Sequence, residues 1–115
     1  MPIPAKPKTL EDARKFVTTT ANFHKWKLTR DEEFQTLLLE GFVTNYNRYG
    51  YFLCPCRDGS GVREKDRDLI CPCAYAIPDQ KEYGHCYCGL YLTPEFFASK
   101  KPTRAIPERR PQGSL

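Results

Sequence analysis

The six cysteines of this chain fall into three Cys-x-Cys pairs: Cys54 with Cys56, Cys71 with Cys73, and Cys86 with Cys88. Pro55 and Pro72 occupy the middle of the first two pairs. Proline fixes φ and removes a main-chain donor, so both turns are stiff. At 115 residues, 40% hydrophobic and 13% aromatic, the chain supports one modest core. Its ten prolines and six cysteines imply short elements tied together by more than core packing.

Three chemistries compete for thiols spaced in this way. Structural zinc sites favour Cys-x2–4-Cys knuckles with four ligands per metal, whereas every spacing here is Cys-x-Cys and two thiols are left over. A disulfide framework suits an oxidising compartment. The segment "MPIPAKPKTLEDARKF" lacks the apolar centre of a secretion signal, so the expected location is the cytoplasm, where thiols stay reduced. No apolar run reaches transmembrane length, and no membrane partner is expected. An iron–sulfur cubane takes four thiolates. Of six cysteines, two then remain as a dithiol, and the tight spacing keeps them near the cluster. In that arrangement a one-electron donor could reduce a disulfide.

Elsewhere the chain reads as helical. Thr9 is a candidate N-cap with Asp12 at the third helical position, and Leu10, Ala13, Phe16, Val17 and Ala21 follow at helical spacing. Thr29-Arg30-Asp31-Glu32 reads as a capping box leading to a stripe of Phe34, Leu37, Leu38 and Phe42. That helix is expected to end near Tyr49, with Gly50 as its left-handed cap. Asp58 to Gly61 read as a turn before a short charged helix or loop, and "AYAIPDQKEYGH" as broken by Pro78. Thr93-Pro94-Glu95 starts a brief helix anchored by Phe96 and Phe97. The expectation is a mainly α fold: one small domain of short helices and loops over residues 1–115, with extended tails at 1–8 and about 101–115. The net charge is +4, and Lys100, Lys101, Arg104, Arg109 and Arg110 outnumber Glu108 in the last segment. Such runs are mostly solvated tails, so nucleic acid is not the expected partner. A basic surface suits an acidic protein instead.

"LCPCR", then "CPC", then "CYC" followed by "GLYLTPE" resembles the catalytic chain of ferredoxin:thioredoxin reductase and its microbial relatives, the ferredoxin:disulfide reductases. The family pattern is C-P-C, C-P-C, C-H-C with Thr-Pro after it. The resemblance runs from the first helix to about residue 100 and includes "LEGFVTNYNRYGYFLCPCR". The first gap between pairs is shorter than in plant and cyanobacterial chains, and the second is longer. Tyr87 stands where the family has histidine, and His85 precedes Cys86 instead.

The resemblance implies that Cys54, Cys71, Cys73 and Cys86 ligate a [4Fe–4S] cluster. It makes Cys56 and Cys88 a redox-active disulfide, with Cys56 attacking the disulfide of a thioredoxin-like substrate and Cys88 resolving the mixed disulfide. Electrons would come singly from ferredoxin or a rubredoxin, and a small non-catalytic subunit is a possible partner. His85 is read either as a displaced substitute for the family histidine, which is thought to aid proton delivery, or as an ordinary surface histidine. Tyr87 stays protonated near neutrality and cannot replace an imidazole as a shuttle. Arg57 either favours the Cys56 thiolate or is a solvated docking charge. Tyr49, Tyr51 and Phe52 either shield the cluster or fill the core. Two other functions stay open: a non-catalytic zinc-binding interaction module, and a simple iron–sulfur electron carrier with idle thiols.

Overall fold

A computed structural model describes residues 7–57 and 59–110. Asp58 and the outermost tail residues lie outside the described residues. The elements in order are α1 (Leu10–His24), β1 (Lys27–Leu28), α2 (Glu32–Tyr49), α3 (Arg63–Asp66), α4 (Ala76–Tyr83), β2 (Tyr91–Leu92) and α5 (Pro94–Ser99), with a tight helical turn at Arg67–Leu69 after α3. The fold is mainly α, as expected.

Capping explains where the long helices begin. Thr9 and Asp12 form the expected box: the Thr9 N–H donates to the Asp12 carboxylate at 2.9 Å, and the Asp12 N–H donates to Thr9 Oγ1 at 3.3 Å. At α2 the cap is Asp31, which accepts from the Phe34 N–H at 3.1 Å, and not the expected Thr29. Thr29 is committed elsewhere, because its N–H donates to the Leu90 carbonyl at 2.9 Å and continues the strand. The helix closes on Gly50 at φ 90°, as the sequence predicts.

The two long helices pack through Ala13, Val17 and Ala21 of α1 and Leu38, Leu39 and Phe42 of α2. Leu37, expected in the stripe, is 65% exposed, while Leu39 is fully buried. Burying a Leu39 or Phe42 side chain contributes roughly 1.5–3 kcal/mol. The same core contains Cys54, Cys71, Cys86 and Cys88 with Leu90 and Tyr91, so the sulfurs are built into the interior. Gly41 lets this happen: a Cβ there would lie 2.6 Å from Pro55 Cβ, so the first cysteine loop sits directly on α2.

The remaining elements position loops. β1 and β2 pair antiparallel, Lys27 with Leu92 and Leu28 with Tyr91. α4 runs through Pro78 instead of breaking there. Pro78 is the third residue of the helix, where its missing N–H has no intrahelical partner to lose. The loop before α3 is gathered by Asp66, which is fully buried and accepts from Tyr51 OH at 2.5 Å, Ser60 N–H at 2.9 Å and Ser60 Oγ at 2.8 Å. Burial pushes its carboxyl up, but these donors outweigh that and hold it below the ordinary carboxylate range. Residues 101–110 are extended, yet they lie against the domain as a strap. Ile106 is buried, Arg110 donates to Asp68 at 2.8 and 3.1 Å, and Arg109 donates to Asp79 at 2.7 Å and to Glu82. Among the described residues no helix is long and apolar enough to cross a membrane.

Candidate functional site

Main-chain pairing brings the first two cysteine pairs together. Leu53 and Ile70 form an antiparallel bridge, flanked by Cys54 N–H to the Leu69 carbonyl at 2.9 Å and Cys71 N–H to the Phe52 carbonyl at 2.8 Å. A turn follows in which the Arg57 N–H donates to the Cys54 carbonyl at 3.2 Å. Pro55 takes the second position of that turn, where its fixed φ fits. The third pair sits on a reversal closed by Cys86 N–H to the Tyr91 carbonyl at 3.0 Å and Gly89 N–H to the Cys86 carbonyl at 2.9 Å. Gly89 adopts φ 80°, which an L side chain rarely tolerates. β1 holds that reversal against the core through β2.

The result is a small cavity lined by Cys54, Cys71, Cys73, Cys86 and Cys88, closed by Phe42, Ala76, Tyr87 and Tyr91. All four expected ligands line it. The sulfurs of Cys71, Cys73 and Cys86 have hydrogen-bond partners of the kind that stabilise thiolates. The Tyr91 N–H donates to Cys86 Sγ at 3.3 Å, Arg57 Nη1 donates to Cys73 Sγ at 3.0 Å, and the Tyr91 hydroxyl lies 3.2 Å from Cys71 Sγ. Burial raises the Cys71 thiol well above its ordinary value and the Cys73 thiol to about 11. A hydrogen bond from Cys88 lowers Cys86 to about 7 against its burial. Among the described residues no group of three or more His, Cys, Asp and Glu side chains converges as tightly as one ion requires. A cubane asks less convergence, since each thiolate binds a different iron. Four cysteine sulfurs lining one apolar cavity, three of them with a hydrogen-bond partner, match the all-thiolate donor set that a cubane takes.

Cys56 differs from the other five. It is exposed, while Cys88 is buried and lines the cavity. Interaction with the neighbouring thiols of Cys54, Cys56 and Cys86, together with burial, raises the Cys88 pKa well above its ordinary value. Interaction with the Cys88 thiol lowers the Cys56 pKa against its burial, with the positive charge of Arg57 assisting. Cys88 Sγ also lies 3.8 Å from Cys86 Sγ. The site thus combines one accessible, thiolate-leaning sulfur with a buried thiol, Cys88, that lines the sulfur cavity.

His85 is not a surface residue; it is 1% exposed. Its Nδ1 donates to the Cys86 carbonyl at 2.8 Å and its Nε2 accepts from the Arg104 N–H at 3.3 Å. Both ring nitrogens are taken by main chain. Arg57 is not a solvated charge either. Its side chain is 4% exposed and lies over the Tyr87 ring, with Cζ 4.4 Å from the ring centre. Phe52 stacks on Phe16 at 4.5 Å and meets Tyr46 at 4.7 Å, and Tyr51 packs with Leu53 and Leu69, so these aromatics fill the core. Two residues of the site were not singled out from the sequence. Tyr91 reaches two sulfurs, and Glu108 forms an ion pair with Arg57 at 2.6 Å. Glu108 did leave a trace there, as the lone acid in a basic segment.

Comparison with known proteins gives the chain a family. The family model described as "Ferredoxin thioredoxin reductase catalytic beta chain" matches residues 3–110. The chain is similar to the ferredoxin-thioredoxin reductase catalytic chain of Cyanidium caldarium, at 31% identity over 93 residues, 76% of this chain and 78% of that one. It is 32% identical to the catalytic chain of Pyropia yezoensis over 94 residues, 77% and 75% of the two chains. The chloroplastic catalytic chain of Spinacia oleracea matches at 30% over 106 residues, 90% and 71% of the two chains. The chain belongs to the ferredoxin thioredoxin reductase catalytic beta chain family.

Proposed function

We propose that this chain is a protein-disulfide reductase in which Cys56 and Cys88 are the working dithiol and Cys54, Cys71, Cys73 and Cys86 hold a [4Fe–4S] cluster. The observation that carries this is the convergence of Cys54, Cys71, Cys73, Cys86 and Cys88 on one cavity while Cys56 alone of the six is exposed. Membership of an oxidoreductase family supports the reaction class. When bound, the cluster supplies single electrons beside the disulfide.

The protein's own steps are ordinary thiol–disulfide exchange. The Cys56 thiolate attacks one sulfur of the substrate disulfide, forming a mixed disulfide and expelling the other sulfur as a thiolate that takes a proton. Cys88 then gives up its proton and attacks the Cys56 sulfur. The second substrate thiol leaves, and a Cys56–Cys88 disulfide remains. Two electrons and two protons return it to the dithiol. Arg57 beside Cys56 favours its thiolate. For His85 to relay a proton to either thiol, the strap would have to release its Nε2 from the Arg104 N–H.

The relatives' names support ferredoxin as donor, thioredoxin as substrate and a second subunit beside the catalytic chain; they give no support to a rubredoxin. We place the chain in a compartment that keeps thiols reduced, such as the cytoplasm. The test is anaerobic reconstitution with reduced ferredoxin and a panel of oxidised thioredoxins, following free thiols. The expected result is a brown, iron-bearing protein that releases thioredoxin thiols catalytically. A colourless zinc protein that leaves the thioredoxins oxidised would refute the proposal.

A further inference from the structure

We propose that Glu108 is a positioning residue: its two-point ion pair fixes the Arg57 guanidinium against Cys73 Sγ and thereby sets the reduction potential of the cluster. The inference rests on the reading of Cys73 as a cluster ligand.

All three guanidinium nitrogens of Arg57 are occupied. Nε donates to Glu108 Oε2 at 2.7 Å, Nη2 to Glu108 Oε1 at 2.6 Å, and Nη1 to Cys73 Sγ at 3.0 Å. Guanidinium is planar and rigid, so a carboxylate gripping two nitrogens dictates where the third points. The rings of Tyr87 and Tyr75 lie 4.4 and 5.2 Å from Cζ, leaving the side chain little freedom to turn. Glu108 is in turn held by the strap. Its Oε1 accepts from the Arg110 N–H at 3.0 Å, Arg110 grips Asp68, and Ile106 is buried two residues upstream. The strap thus reaches the cavity through one carboxylate and one guanidinium.

Reducing a cluster adds negative charge to its sulfurs, so a charged donor on Cys73 favours the reduced state and raises the potential. Glu108 by simple charge would do the opposite. The two effects of removing Glu108 therefore differ in sign. Loss of a nearby negative charge raises the potential, whereas release of Arg57 from Cys73 lowers it.

The experiment is a redox titration of the anaerobically reconstituted full chain, read by the cluster's optical and magnetic signals and not by turnover. In Arg57→Gln the ratio of reduced to oxidised protein at a fixed solution potential should fall about tenfold, or 59 mV for a one-electron couple. Glu108→Ala should shift the ratio in the same direction. Adding Glu108→Ala to Arg57→Gln should lower it no further. If Arg57→Gln does not take up the cluster, Arg57→Lys serves, since an ammonium cannot grip the carboxylate and the sulfur in one plane. A potential that rises or stays put in Glu108→Ala overturns the proposal. A cluster-free readout is trypsin cleavage after Arg104 in the apo chain, expected several-fold faster in both single variants; no acceleration in either also overturns the ion pair's role. A wild-type chain that takes up no cluster refutes the reading of the site itself, whereas a loaded chain with unmoved potentials refutes only the positioning role.

Discussion

At the scale of single residues, Cys56 is set apart by exposure and by its neighbours. Interaction with the Cys88 thiol and the charge of Arg57 hold its pKa below the ordinary cysteine value. In the cluster-free chain, iodoacetamide should therefore modify Cys56 first of the six, with its pH-rate midpoint below the value of about 8.5 for an ordinary thiol; peptide mapping after brief alkylation checks this. Lowering the pKa widens the range toward acid in which the thiolate persists, so the midpoint must move down and not up. In the loaded protein, Cys56→Ser should keep the cluster spectrum while thioredoxin reduction drops to background. A simple electron carrier with idle thiols would instead lose nothing. His85 shows what a sequence conceals at this scale. Its position beside Cys86 suggested chemistry, and only the packing places both nitrogens on main-chain groups.

At the scale of elements, the site depends on how closely backbones approach. Gly41 on α2 faces Pro55 with no room for a methyl group. Gly41→Ala should destabilise the chain by about 1–3 kcal/mol through overpacking, read as a lower denaturant midpoint with unchanged slope. The loop before α3 hangs on Asp66. Its pKa is depressed in the fold, so its contribution is present above the unfolded carboxylate value and is lost as pH falls through the folded one. Asp66→Asn should cost roughly 1–3 kcal/mol near neutrality, and the gap from wild type should close in strong acid, as urea titrations across pH would show. Helix starts and stops were legible where a local cap decides them, as at Thr9 and Gly50. Thr29 misled because a strand partner outside its own segment, Leu90, claims its main chain. Pro78 misled because the helix begins just before it, where proline is harmless.

At the scale of the whole molecule, the three cysteine pairs come from three separate segments, and the fold's main task is to make them meet. The pairs themselves were plain in the sequence, because nothing but shared chemistry explains six cysteines in such regular spacing. Their convergence was not plain, since it rests on the bridge between Leu53 and Ile70, on the β1–β2 pairing and on the reversal at Gly89. The C-terminal strap was hidden for a related reason. A run of prolines and arginines reads as solvated until Glu108, Arg109 and Arg110 each find a distant partner. The unequal division of the sulfurs, four for the cluster and two for exchange, is tested most directly by assaying metal in the double variant Cys56→Ser, Cys88→Ser. After anaerobic reconstitution it should hold about four irons and four sulfides per chain, as wild type does. Loss of iron from that variant, or uptake of zinc in its place, would contradict the division.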